Sequence, residues 1–282
     1  SWLDSLPDAD GFTMLLGGEA ITAELWSWLR GRATVRAWNL YGPTEVGVDS
    51  MLADIGETAA PSLGATTGDV VGYVLDSQLR PSPVGSVGEL WLAGTQLAHG
   101  YTGRSEATAD RFVADPFARD GSRMYRTGDL VVVRDALDGE PRRVVSLGRS
   151  DAQLKIRGHR VEPEELARVI GAQPGVANAV VLPVESAGQL ALGAWIVPSD
   201  PGIAGGDPDA DGEARAQLAS RVLDAVRGTV PDYMHPVGLE IIPRIPLTPN
   251  GKLDRDALPE FQTTGGAGRE PSTTLTHWLS RL

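Results

Sequence analysis

Residues 35–45 read Val35-Arg36-Ala37-Trp38-Asn39-Leu40-Tyr41-Gly42-Pro43-Thr44-Glu45. Residues 35–41 read as a strand, and Gly42-Pro43 ends it. Upstream, residues 20–30 read as a helix with Leu25, Trp26 and Leu29 on one face, and residues 12–17 as a short buried strand. Strand, helix, strand is the unit of a parallel sheet, so the fold class is α/β. One such unit is too small a sheet to stand alone, because a strand without a neighbour exposes unpaired backbone groups. The expectation is that further sheet lies upstream of Ser1.

Downstream, residues 70–75 and 87–93 read as strands. Ser105 reads as the N-cap of a helix through Phe112. Residues 131–133 and 142–147 read as a hairpin with Asp138-Gly139 in its turn. The organisation changes near Gly148. Residues 154–161 read as a strand, and Pro163 suits the first turn of a helix to Gly171. Strands over 176–184 and 190–197, a loop over 199–212, a helix over 213–227 and a strand over 239–245 follow, with a tight turn at Asn250-Gly251. This second part reads as a small α+β domain. The expected organisation is 1–149, 150–260 and a linker-like tail 261–282, in which a helix starts at Pro271.

The 282 residues suit about two domains. A hydrophobic content of 41% with 22% charged residues is globular, not disordered. No apolar run approaches the ~20 residues of a membrane helix, and no basic-then-apolar leader is visible, so the expectation is a cytoplasmic protein. The net charge of -12 disfavours nucleic acid as a partner. Five acids (Asp200, Asp207, Asp209, Asp211, Glu213) read as a solvated loop. Zero cysteines exclude thiolate chemistry and Cys-based metal sites, and four scattered histidines make a His-only metal cage a poor reading. Of 25 basic residues only Lys155 and Lys252 are lysines, compact point charges in an Arg-rich chain.

Three loops present chemistry-bearing groups: Tyr41-Gly42-Pro43-Thr44-Glu45, Tyr125-Arg126-Thr127-Gly128-Asp129, and residues 148–158, which begin Gly148-Arg149-Ser150-Asp151. Each alone reads equally as turn chemistry. Their order, together with Gly88-Glu89-Leu90-Trp91-Leu92-Ala93-Gly94, His99-Gly100-Tyr101, Val230-Pro231-Asp232-Tyr233-Met234 and Pro249-Asn250-Gly251-Lys252-Leu253-Asp254-Arg255, does not. From about Leu15 to Pro259 the chain resembles the adenylation domain of a nonribosomal peptide synthetase, in the adenylate-forming superfamily.

The resemblance implies the C-terminal part of a large core subdomain followed by a small α+β C-terminal subdomain. It implies ATP and Mg²⁺ as cofactors and an aminoacyl adenylate as product. Asn39, Tyr41 and Gly42 then fall in the adenine-site motif, Tyr41 packing against the base. Thr44 corresponds to the α-phosphate contact and Glu45 to the Mg²⁺ ligand. Asp129 corresponds to the acceptor of the two ribose hydroxyls and Arg149 to a second nucleotide contact. Lys252 corresponds to the catalytic lysine, which stabilises charge growing at the α-phosphate. Asp151 corresponds to the hinge, and Lys155 and Gly158 to the thiolation face, where phosphopantetheine arrives on a peptidyl carrier protein. Leu15, Gly17, Leu40, Val48 and Asp49 correspond to the substrate pocket. A carboxylate at Asp49 in an apolar pocket points to a donor-bearing amino acid such as glutamine or serine.

The family's glycine-rich phosphate loop and the motif binding the substrate amine do not occur in these 282 residues. The expected partners are therefore the upstream half of the core, the carrier protein, the amino acid, and an MbtH-like helper near residues 105–112. The carrier's attachment sequence is also absent, so no phosphopantetheine is expected on this chain. The rival readings are an acyl- or aryl-CoA ligase of the same superfamily, and a non-catalytic half-domain that binds a carrier or helper.

Overall fold

The computed structural model describes residues 11–136, 141–151, 153–156, 158–186, 188–205 and 208–261. It is a mixed α/β chain that divides into two compact units, Ser1–His159 and Arg160–Leu282. The stretch 150–159 thus groups with the first unit.

The first unit opens with β1 (Phe12–Gly17), α1 (Ala23–Arg30) and β2 (Val35–Tyr41). The two strands are parallel, from Phe12 beside Val35 to Gly17 beside Leu40, as the β-α-β reading requires. The helix begins three residues later than the sequence suggests, because the Thr22 hydroxyl accepts from Leu25 N at 3.3 Å and caps it. Trp26 and Leu29 are buried with Val35, Ala37, Ala53 and Ile55. The Trp26 indole N–H donates to Thr58 O at 2.9 Å, which satisfies the one polar atom that this ring brings into the core. β3 (Met51–Asp54) and β4 (Ala65–Thr66) extend the sheet in the order β1-β2-β3-β4. Neither was visible as a strand in the sequence.

A second sheet contains β5 (Val71–Leu75), β6 (Val87–Ala93), β7 (Phe112–Ala114), β8 (Arg123–Arg134) and β9 (Arg143–Arg149). Its order is β5-β6-β8-β7, with β9 also pairing β8. The expected hairpin 131–133/142–147 is therefore the end of a longer antiparallel pair, and its turn at 138–139 lies outside the described residues. The helix α2 (Ser105–Arg111) corrects another expectation. Ser105 is its first residue, Arg104 is the N-cap without a side-chain bond, and Phe112 already begins β7. Tyr41, Val46, Met51, Leu90, Leu92, Phe112, Tyr125 and Val131 form a core that joins the end of β2 to the middle of β8. Burying these side chains together is what brings the loop after β2 beside the middle of β8.

The expected strand 154–161 is instead two short ones, β10 (Leu154–Ile156) and β11 (His159–Val161), paired as a two-stranded sheet. Gly158 between them has φ 78°, a conformation that reverses the chain and that a residue with a Cβ resists.

The second unit carries α3 (Pro163–Gly171), with Pro163 in its first turn as expected. A hairpin of β12 (Val176–Ser186) and β13 (Gln189–Pro198) follows. Then come α4 (Gly202–Gly205), α5 (Pro208–Arg227) and β14 (Gly238–Ile241), the last parallel to β13. The expected loop 199–212 is largely helical. Asp200 starts the turn, its Oδ1 accepting from Gly202 N at 2.9 Å and its carbonyl from Ile203 N at 3.1 Å. Asp209, Asp211 and Glu213 therefore belong to α5 and not to a loop. β14 stops at Ile241, short of the expected 245, and Pro243 cannot donate to a ladder. The linker and helix expected after residue 261 lie outside the described residues.

Candidate active site

The loop leaving β2 is built on Gly42. A Cβ there would collide with Val48 O and stand 2.7 Å from both Ser50 N and Ser50 Oγ. Pro43 precedes a 3₁₀ turn over Thr44–Val46, and Gly47 closes it at φ 74°. Val48 follows at φ 71°, a strained region for a β-branched residue, and strain of this kind collects at functional sites. The loop is held by Ser50 N donating to Tyr41 O at 3.0 Å and Ser50 Oγ to Val46 O at 2.8 Å. Asn39 is buried, and its Nδ2 donates to Ser62 O at 2.7 Å, tying β2 to the segment after β3.

The other half of the site is the irregular middle of β8, where Thr127–Asp129 lie within the strand and not on a separate turn. Thr127 Oγ1 donates to Leu90 O at 2.6 Å and accepts from Asp129 N at 3.0 Å. Glu89 takes both Nε bonds of Arg126, at 2.9 and 3.1 Å, and the Gly128 N–H at 3.1 Å. The ladders on both sides of β8 shift register here, between Glu89 and Trp91 and between Leu130 and Val131. Such irregularities re-aim side chains. The side chain so aimed is Asp129.

Tyr41 OH donates a short hydrogen bond to Asp129 Oδ2, and Arg149 Nη1 donates to Asp129 Oδ1 at 2.8 Å. Each carboxylate oxygen thus has one of these donors and retains acceptor capacity. Burial, followed by the negative charge of Asp129, pushes the Tyr41 phenol well above its usual range, so it stays a donor. The Lys155 ammonium lies 5.4 Å from the centroid of the Tyr41 ring. Arg149 also reaches Thr127 O and both oxygens of Asp151, and Arg111 Nη2 joins Asp151 Oδ2 at 2.9 Å. Burial would raise the Asp151 carboxyl, but hydrogen bonds from Arg149 and Arg111 outweigh it and hold it at about 2. Gly158 N donates to Glu19 Oε1 at 2.6 Å.

Glu45 is buried, and Tyr101 OH donates to its Oε1 at 2.5 Å. Burial and this bond push the Tyr101 phenol far upward, so it too remains a donor. Thr44 is exposed at the loop tip. Among the described residues no group of three or more His, Cys, Asp or Glu side chains could cage a metal ion. The single Glu45 carboxylate, beside the exposed Thr44, fits Mg²⁺, which takes one or two carboxylates and completes its shell with water and substrate phosphate. Glu45 would be the protein ligand.

Parallel register puts Leu15, Gly17 and Leu40 on one face of the β1–β2 pair, opposite the core face. A Cβ on Gly17 would lie 3.2 Å from Leu40 Cβ, so a larger residue would crowd that spot. Leu15 is 63% exposed and Val48 55%, and Asp49 is exposed as well. The desolvation argument for a donor-bearing substrate therefore finds no buried carboxylate here. Lys252 belongs to the second unit. Its backbone exchanges bonds with Thr248 across the Gly251 turn, and Leu247 bridges Leu253. The lysine side chain on this turn is exposed.

Sequence reading missed the partners that orient these groups. Tyr101 was visible only as part of a motif. Arg111 carried no signal, because its partner Asp151 is 40 residues away and meets it only when β7, β8 and β9 pair. Among the described residues no helix is long and apolar enough to cross a membrane.

Comparison with known proteins identifies the family. Residues 5–102 match the family model of AMP-binding enzymes, and residues 165–252 match that of the AMP-binding enzyme C-terminal domain. A probable non-canonical nonribosomal peptide synthetase, CymA, of Salinispora arenicola is 45% identical over 92% of this chain and 3% of its own length. Phosphinothricin tripeptide synthetase PhsC of Streptomyces viridochromogenes is 41% identical over 92% of this chain and 22% of its own. The chain thus spans a small fraction of these curated relatives. A solved nonribosomal peptide synthetase protein containing adenylation and carrier domains superposes with a TM-score of 0.63 at 25% identity, over 87% of this chain and 40% of that one. The chain belongs to the AMP-binding, adenylate-forming enzyme family, and within it to the adenylation domains of nonribosomal peptide synthetases.

Proposed function

We propose that this chain forms part of an enzyme that activates an amino acid as its aminoacyl adenylate and passes it to a carrier-bound phosphopantetheine thiol. The observation that carries the reading is the Tyr41–Asp129–Arg149 constellation. Asp129 offers two oxygens, each already held by one donor, to the two vicinal hydroxyls of a ribose. Tyr41 packs beside adenine, and Arg149 fixes the carboxylate while adding positive charge near the nucleotide. Thr44, exposed on the loop tip after β2, donates to the α-phosphate. Glu45, oriented by Tyr101, would hold Mg²⁺, which would supply charge neutralisation at the phosphates.

The substrate carboxylate attacks the α-phosphorus, forming a C–O–P linkage as the bond to pyrophosphate breaks. Negative charge grows on the oxygens around phosphorus. Lys252, delivered by its Gly251 turn, stabilises that charge. The face carrying Leu15, Gly17 and Leu40, with Val48 and Asp49 on the loop, lines the amino acid pocket. Thiolation follows when the segment around Asp151 turns and presents Lys155 and Gly158. The thiolate then displaces AMP from the acyl carbon, giving a thioester. A preceding half of the core supplies the phosphate loop, and an MbtH-like protein assists.

Amino-acid-dependent ATP–pyrophosphate exchange tests the reading. It is run on the polypeptide that carries this chain together with the rest of its core, with an MbtH-like protein present. Exchange with one amino acid, or a small set, supports it. A folded protein silent across the full panel contradicts it.

A further inference from the structure

The middle of β8 has a feature that nucleotide binding alone does not require. Arg111, Asp151 and Arg149 converge on the bare backbone of Gly128. A Cβ at Gly128 would stand 2.6 Å from Asp151 Oδ2, 2.7 Å from Arg149 Nη2 and 3.2 Å from Arg111 Nη1. Gly128, at φ 80°, leaves the space that the cluster fills. Asp151 receives Arg149 through Nε at 2.7 Å and Nη2 at 3.0 Å, a planar two-point match that fixes the guanidinium. Arg111 Nη2 meets the same carboxylate at 2.9 Å, and its Nη1 meets Arg126 O at 3.5 Å. Ser150 closes the assembly, its N–H and hydroxyl both donating to Gly128 O, at 2.8 and 3.0 Å. The chain of contacts runs from Arg111 at the end of α2, through Asp151, to Arg149 and on to Asp129. All four side chains are partly buried, Asp151 being the most exposed at 26%.

We propose that Arg111 is a positioning residue for the nucleotide. It holds the Asp151 carboxylate in place, and that carboxylate sets the direction in which Arg149 presents its Nη1 to Asp129. Arg111 itself touches neither ribose nor phosphate. The inference rests on the adenylation reading above. It adds that the segment 149–151 is latched to the middle of β8 by a charge cluster anchored from outside the nucleotide site.

The test is steady-state exchange kinetics with Arg111→Gln and Arg111→Lys, alone and combined with Asp151→Asn, in the complete adenylating polypeptide. The expected result is a rise in KM for ATP of about tenfold in Arg111→Gln, on the order of one lost charge-assisted contact. KM for the amino acid stays near wild type, because the β1–β2 face shares none of these contacts. Arg111→Lys, which keeps a cation at the site, restores most of the ATP affinity. Adding Asp151→Asn to Arg111→Gln costs less than the two single effects combined, since both act through one contact. The proposal is overturned by an unchanged KM for ATP in Arg111→Gln. It is equally overturned by full additivity with Asp151→Asn, or by parallel rises in both KM values with a lowered melting temperature, the mark of general loosening. Absence of exchange in the wild-type protein is a different result, which removes the adenylation reading itself and this proposal with it.

Discussion

Replacing Gly42 with alanine tests whether the loop after β2 is as tightly built as its contacts imply. The added methyl would press on Val48 O and stand 2.7 Å from Ser50 N and Oγ. These are backbone atoms and a fully buried hydroxyl, so the strain cannot be relieved by turning a flexible side chain. Ser50 N is already committed to Tyr41 O at 3.0 Å, and Val48 N to Pro43 O at 3.1 Å. Val48, at φ 71°, has little room to rotate further. Overpacking of this kind costs about 1–3 kcal/mol. Losing the buried Ser50–Tyr41 bond adds about 1 kcal/mol. The expected destabilisation is therefore about 2–4 kcal/mol. Gly103→Ala is the control. Gly103 has φ 70° but nothing within 4 Å, so it carries only the positive-φ cost of about 1–2 kcal/mol. Urea unfolding followed by tryptophan fluorescence reads both, with stability taken from the midpoint at constant slope. A Gly42→Ala protein within about 0.5 kcal/mol of wild type would refute the reasoning. So would one no less stable than Gly103→Ala.

Lys252→Ala is expected to abolish adenylation while leaving the melting temperature unchanged, because the side chain is exposed on its turn. Near-normal exchange by this variant would remove Lys252 from the mechanism. Asp151→Pro is expected to raise KM for ATP, because it removes the carboxylate that holds Arg149, yet to form adenylate at saturating ATP while thioester formation is blocked, as a stiffened hinge should; equal loss of both half-reactions at saturating ATP would count against the hinge. The Asp151 carboxyl sits at about 2 in the folded protein against 3.8 for an ordinary aspartate. A lowered value means the contribution is complete above pH 3.8 and disappears as pH falls towards 2. Asp151→Asn should therefore flatten that part of an acid-unfolding profile, and an unchanged profile would show that the Arg111–Asp151–Arg149 cluster does not stabilise the fold.

Much of the fold was legible because short-range pattern and final environment agree. The run 35–41 is a strand with its alternate residues, Val35, Ala37, Asn39 and Tyr41, buried, and Gly42-Pro43 follows it as read. Pro163 opens α3 because its missing N–H costs nothing in a first turn. Legibility failed where a single residue overrides a run. Gly158 breaks an apparent strand into β10 and β11, and its positive φ is invisible in a hydrophobicity pattern. It failed again at 199–212, where glycine, proline and acids look like a loop although α5 already begins at Pro208. Asp129 and Arg149 could be named as nucleotide ligands only through resemblance to a family. Their geometry depends on β8 and β9 pairing in one register, with Asp129 opposite Arg149. Arg111 and Tyr101 act through other side chains, and local sequence carries no trace of that.

The most direct test of the central claim, that Tyr41, Asp129 and Arg149 form a ribonucleotide site, is calorimetric titration. AMP and 2′-deoxy-AMP are each titrated into the complete polypeptide, as wild type and as Asp129→Ala. The account predicts that the wild type prefers AMP by about tenfold, because one carboxylate–hydroxyl bond is lost with the deoxynucleotide. It predicts that Asp129→Ala binds both weakly and without preference. Equal affinity for the two nucleotides in the wild type, or a preference that survives Asp129→Ala, would contradict it.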